Sequence, residues 1–202
     1  MLPGNGIGCR THFEHPGARR EVAATLAPAL RRLGAPRRPL VFLCIGTDRS
    51  TGDALGPLVG DRLGPALSGM ADVLGTLREP VHASNLEERL DRLRATSPEA
   101  VVVAVDACLG RAENVGTITA GIGALAPGAG VNRVLPEVGS AFVTGTVNVG
   151  GFMEYFVLQN TRLYLVMHMA AMIADALQLV ATELCGCPPA ASSPAARAPA
   201  MA

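Results

Sequence analysis

Two aspartates stand where chemistry is expected. Asp53 lies in the loop Gly46-Thr47-Asp48-Arg49-Ser50-Thr51-Gly52-Asp53-Ala54-Leu55-Gly56-Pro57, which follows the apolar run PLVFLCI at residues 39–45. Asp106 follows the apolar run AVVVAV at residues 100–105. Each acid sits just past a segment that reads as a buried strand. If the fold brings the two together, both cannot ionise cheaply, so one keeps its proton well above the usual carboxylate range. The ionised partner can then act as general base on a water while the protonated one acts as general acid. That arrangement suits peptide hydrolysis and needs no metal. Each residue also has a structural alternative. Asp53 could cap the helix that follows. Pro57 argues against this, because proline prefers the first helical position, which would make Gly56 the cap and leave the Asp53 carboxylate free. Asp106 could shape a turn, and Asp48 reads as a solvated loop residue.

Other candidates lack partners. Cys108 follows Asp106 closely but no base is apparent for it, so it reads as a buried thiol. His12 and His15 fall near the N-terminus, His82 follows a short strand and His168 lies in a helix; no shared histidine site is expected. The loop from Gly46 lacks the Lys-Ser/Thr ending of a P-loop, and Gly121-Ile122-Gly123 lacks the later glycine of a dinucleotide fingerprint. Arg49, Asn132 and Arg133 are loop residues able to bind a peptide carbonyl or carboxylate, the alternative being a solvated loop. No metal and no cofactor are expected.

The elements that must position these residues alternate along the chain. Helical spacing covers residues 19–33 and 58–67, and Ser84 to Glu87 has capping-box spacing that opens a helix to about Arg94. Strands are expected at 39–45, 72–77, 100–105, 115–120 and 141–147, a Gly/Pro-rich loop at 121–131, and helices at 151–159 and 161–183. Continuous apolar strands separated by helices predict a mostly parallel sheet covered on both faces. In such sheets ligands bind beyond the C-terminal strand ends, where strand order reverses. One domain is expected over residues 17–184, with loose segments at 1–16 and 185–202, both rich in small residues and proline.

Composition bounds the remainder. The formal net charge is zero, so no global field draws the chain to nucleic acid. Every basic residue is arginine, and residues 10–38 hold seven of them against Glu14 and Glu21, which reads as a solvated helix face. Five irregularly spaced cysteines suggest neither a disulfide framework nor a zinc site, and a reducing compartment fits them. The first residues contain no apolar core segment, so no signal peptide is expected. Residues 163–181 are apolar enough to raise the question of a membrane. His168, Asp175, Gln178 and Thr182 fall on one helical stripe, however, which predicts an amphipathic core helix and no membrane span.

Five segments carry a family resemblance: FLCIGTDRSTGDALGPLVG, GTLREPVHASNLEE, VVAVDACLG, PGAGVNRVLPEVG and TGTVNVGGFMEYFVLQNTRL. From about Pro39 to Ala181 the chain resembles the YyaC-type sporulation proteins of spore-forming bacteria. Through them it resembles the germination protease that degrades small acid-soluble spore proteins, and the hydrogenase maturation endopeptidases. The resemblance implies a three-layer α/β/α sandwich with a twisted central sheet. It places Asp53 in a loop like the one that carries one catalytic aspartate of the germination protease, and Asp106 at a strand like the one that carries the second. Residues 127–133 resemble its Gly-rich loop. The endopeptidases use a histidine near their acids to hold nickel, whereas residues 121–137 contain none, with Asn132 and Arg133 in that loop. The activity so implied is that of a metal-independent aspartic-type spore endopeptidase, cytoplasmic in the mother cell or spore interior. Its substrate would be a peptide or protein, spore proteins among the candidates, and self-association stays open. Two other classes remain: a protein that binds a peptide or partner through the same cleft without turnover, and a phosphate or nucleotide binder using the 46–56 loop.

Overall fold

Residues 40–44 and 101–105 carry no polar side chain, so each needs cover on both faces and must lie inside a sheet. The computed structural model, which describes residues 6–128 and 135–186, places them side by side at its centre. In chain order the elements are β1 (Gly6–His12), α1 (Ala18–Arg32), β2 (Leu40–Cys44), α2 (Leu55–Ala66), β3 (Asp72–Leu74), α3 (Leu86–Thr96), β4 (Val101–Gly110), β5 (Thr117–Ile122), β6 (Ala141–Val149), α4 (Glu154–Gln159) and α5 (Leu163–Cys185). The six strands form one sheet in the order β1-β5-β6-β4-β2-β3. The pairs β2–β3, β2–β4 and β4–β6 are parallel, while β5 runs antiparallel to β1 and β6. From β2 the chain moves outward to β3; after β4 it fills the opposite side. Strand order therefore reverses between β2 and β4, and a crevice opens at their C-terminal ends.

Helices α1, α2 and α5 cover one face, packing on Leu40, Phe42, Val103 and Val105 in the larger core cluster. On the other face Leu43, Ile45 and Ala104 meet Leu86 and Leu90 of α3 and Val138 of the β5–β6 connection. The result is an α/β/α sandwich with a mostly parallel sheet, as the pattern of apolar runs predicts. Helix α5 is long and apolar enough in composition to cross a membrane. Here Val166, Met169, Ile173, Leu177, Val180 and Leu184 form a buried stripe that contacts α1 and α2.

The N-terminal segment departs from the sequence-based expectation. Residues 6–12, expected to be loose, form edge strand β1, paired with β5 from Gly6↔Ile122 to His12↔Thr117. Main-chain pairing holds this strand: of its side chains only Thr11 is buried and Cys9 half-buried, so no apolar alternation announces it. Cys185 ends α5 instead of opening a tail, and residues 187–202 lie outside the described residues. The capping box at Ser84 does not form. Asn85 occupies the N-cap without a side-chain cap, because its amide is engaged elsewhere.

Where β2, β3 and α2 meet, main chains approach directly. A Cβ on Gly75 would lie 1.8 Å from the Cys44 carbonyl oxygen, with φ at +90°, whereas Gly69, with φ at +80°, has open space around it. Gly69→Ala should cost only the left-handed strain, about 1 kcal/mol. Gly75→Ala adds a main-chain clash and should cost about 3 kcal/mol or more. Urea unfolding of the two variants measures the difference; equal losses would refute the close approach.

Candidate active site

The site begins where β2 stops. The Ile45 N–H still donates to the Val105 carbonyl (2.7 Å), but Gly46 turns away at φ +141° and its N–H donates to the Val81 carbonyl (2.8 Å). The loop then folds back on itself. Thr47 N–H donates to the main-chain carbonyl of Asp53 (3.1 Å), and a Cβ on Gly46 would fall 1.9 Å from that same oxygen. Only glycine allows this contact. It returns Asp53 to the end of β2, directly before α2. The α2 N-cap is Ala54, with no side-chain cap, so Pro57 is the third helical residue and Gly56 is not the cap. The Asp53 carboxylate is nevertheless not spent on capping.

Asp106 is reached differently. It was expected just past its strand, but β4 continues to Gly110 and Asp106 lies inside it, opposite Thr144 of β6. The reason is that β6 goes on pairing with β4 after β2 has left. Asp106 is only 5% exposed. Its Oδ1 accepts the Ala107 N–H (2.9 Å) and its Oδ2 the Gly128 N–H (3.4 Å).

Asp53 and Asp106 line one cavity of about 120 Å³, together with Ser50, His82 and Cys108. Burial, reinforced by the Asp53 charge, pushes the Asp106 carboxyl up to about 8, against the two N–H donors that lower it. Burial also raises Asp53, while a Thr47 N–H and then His82 act to lower it. The pair titrates as a unit. Burial favours the protonated form of Asp106 most strongly, while the Thr47 N–H and the His82 charge favour the ionised form of Asp53. Two carboxyl groups, one of them favoured in its protonated form, therefore face one small space, the pairing that acid–base chemistry requires.

Sequence reasoning named His82 but gave it no part in the site. Val81 makes an isolated parallel bridge to Ile45, which brings His82 to the sheet edge next to the β2 terminus. Asn85 anchors it: Asn85 Oδ1 accepts the His82 N–H (2.8 Å), and Asn85 Nδ2 donates to the Pro80 carbonyl (3.0 Å). His82 Nδ1 accepts the Ser84 N–H (3.3 Å), so the neutral ring carries its proton on Nε2. The readable signal was Pro80-Val81-His82, a single β-type residue between a proline and a helix start. Ser50 Oγ is buried in the cavity wall with no hydrogen-bond partner among the described residues. Cys108 is a thiol whose pKa burial raises, with hydroxyls of Thr146 and Thr144 beside it. Arg49 is exposed and does not line the cavity. Asn132 and Arg133 lie outside the described residues. Among the described residues no three His, Cys, Asp or Glu side chains converge as metal ligands.

The family model described as "Protein of unknown function (DUF1256)" matches residues 10–176, a span holding β4, both acids and His82. The chain belongs to the DUF1256 family. It is 51% identical over 162 residues to the Bacillus subtilis (strain 168) protein described as "Uncharacterized protein YyaC", covering 80% of this chain and 78% of that one. The cavity is thus built within the part that the family shares.

The raised Asp106 pKa has a consequence for stability. The folded chain holds this proton from about pH 4 to about pH 8, while the unfolded chain releases it near the ordinary value. The folded form binds more protons, so stability falls as pH rises through that window, by at most about 1.4 kcal/mol per pH unit from this group. Asp106→Asn keeps an acceptor for the Ala107 N–H and removes the titration. Its stability relative to the parent should rise steadily from pH 4 to 8 in urea unfolding; a pH-independent difference would refute the assignment.

Proposed function

We propose that this protein is a metal-independent aspartic-type endopeptidase acting in sporulation or germination. Its place would be the cytoplasm of the mother cell or the spore interior. One observation carries the reading: two carboxyl groups line the same cavity, and burial pushes one of them, Asp106, up to about 8. Asp53 takes a proton from water as the water attacks the scissile carbonyl. Asp106 gives its proton to the departing amine. The His82 charge favours the ionised form of Asp53. The resemblance of the GDALGP and VVAVDA segments to the germination protease supports the same two roles and makes small acid-soluble spore proteins the first substrates to try.

A second reading has an observation of its own. Tyr155 lines the cavity and is 58% exposed, its ring meets that of Phe156 (53% exposed) edge to face, and Phe156 shares a second groove with Phe152 (80% exposed), a surface suited to holding a partner without turnover. Binding without cleavage would favour it. The phosphate-binding reading has less support, since two acids line the space and about 120 Å³ is well below an ordinary small-molecule site.

Incubation with small acid-soluble spore proteins, followed by mass spectrometry, tests the hydrolase. Asp53→Asn and Asp106→Asn should each lower the cleavage rate by roughly a hundredfold or more. Equal rates in parent and variants, or no cleavage at all, would sink it. The kcat/KM profile should rise on the acid side as Asp53 ionises and fall near pH 8 as Asp106 loses its proton. Asp106→Asn should remove that alkaline fall from any residual activity.

A further inference from the structure

The cavity runs along a strand edge. Side chains of successive strand residues point to opposite faces of a sheet. Asp106, Ala107, Cys108 and Leu109 are consecutive in β4, yet all four line the cavity. A cavity on one face would meet only every second one. It therefore follows the side of β4 that β2 leaves free. The pairing agrees: β2 is in register with β4 only as far as Cys44↔Val105, whereas β4 continues with β6 to Gly110↔Val149. Val105 directs its carbonyl toward β2, where Ile45 N–H meets it. By alternation Ala107 faces the same side, beyond the point where β2 has gone. Its N–H is answered by its neighbour's carboxyl, Asp106 Oδ1, in place of a strand. The edge is thus an unfinished pairing site next to both acids.

Size and surroundings indicate what would complete it. About 120 Å³ accepts a single side chain of medium size. The walls are largely apolar, including Ile45, Ala83, Leu135 and Leu158. Tyr155 lines the cavity and meets the exposed Phe156 ring edge to face at 5.7 Å, and Phe156 shares a groove with the exposed Phe152, so an apolar surface leads on from the cavity. A strand edge that no described strand pairs with, a one-residue apolar hole and an adjoining apolar shelf match one occupant, an extended peptide.

We infer that the substrate binds as an added strand on the free edge of β4 at Ala107–Leu109, with one apolar side chain in the cavity and its neighbours against Phe152, Tyr155 and Phe156. This rests on the peptidase reading and supplies its substrate class: unfolded or extended segments with an apolar residue near the cleaved bond. An added strand would place a peptide carbonyl between the two acids, because Asp106 belongs to the strand it pairs with.

The test separates binding from cleavage. Fluorescein-labelled twelve-residue peptides of Ala, Ser and Gly, carrying one central Leu, Asp or Lys, are titrated by fluorescence polarisation against the parent and the Asp106→Asn variant. Central Leu should bind roughly tenfold or more tightly than Asp or Lys. The Leu peptide is then N-methylated at one position at a time. Loss should alternate, several-fold at every second position and little between, because only alternate N–H groups face β4. Tyr155→Ala, a substitution at an exposed residue, should weaken the Leu peptide several-fold, with folding checked by circular dichroism. Absence of binding, a uniform response to N-methylation, or indifference to the central residue would overturn the inference. So would sedimentation showing that Tyr155→Ala acts only by dissociating a dimer. Alternating binding without cleavage would uphold strand addition while refuting hydrolysis. Cleavage without alternation would do the reverse.

Discussion

A carboxyl group sits buried in the interior of a β-strand, and among the described residues no cation pairs with it; much of this site follows from that one constraint. Asp106 has water on almost no side, two N–H donors and a second acid for company. Keeping its proton is the inexpensive solution, since an unpaired buried charge costs far more than a protonated acid. Protonation in turn defines the neighbour. With one acid neutral, the Asp53 carboxylate can stay ionised in the same small space, and His82 finds a charge to stabilise.

The constraint exists because two parallel strands part company. Had β2 run as far as β4, Asp106 would have been covered by main chain and sealed. Because β2 turns off at Gly46, the carboxyl opens onto a cavity instead of a core. The strand order makes that parting natural, since the connections from β2 and β4 leave in opposite directions. The site belongs to the architecture, and Asp53, His82 and Asp106 come from three separate places in the chain: the loop after β2, the Val81 bridge and the middle of β4.

The central strands were legible because their runs are apolar without interruption, and a run of that kind has few other fates. The two acids were legible because they interrupt or follow such runs. Less was readable where main chain decides the structure. Strand β1 buries almost nothing, so its pairing with β5 left no mark on residue types. Asp106 reads as a terminus because a charged residue usually ends a buried strand; its continuation depends on β6, some forty positions later. His82 depends on a single bridge to Ile45 and on Asn85, whose position suggests a helix cap until its amide is seen holding the main chain of residues 80–82.

The glycine contacts around the β2 terminus are all between main-chain atoms. A Cβ on Gly46, Gly56, Gly60 or Gly75 would meet a carbonyl oxygen at 1.8–2.0 Å. The location of Asp53 is consequently dictated by peptide groups, with side-chain fit playing little part. Cavity-wall residues such as Leu135, Leu158 and Tyr155 are then free to drift in descendants while the acid stays put. Such a scaffold is evolvable: lineages can reshape the cavity one wall residue at a time while the two acids keep their places.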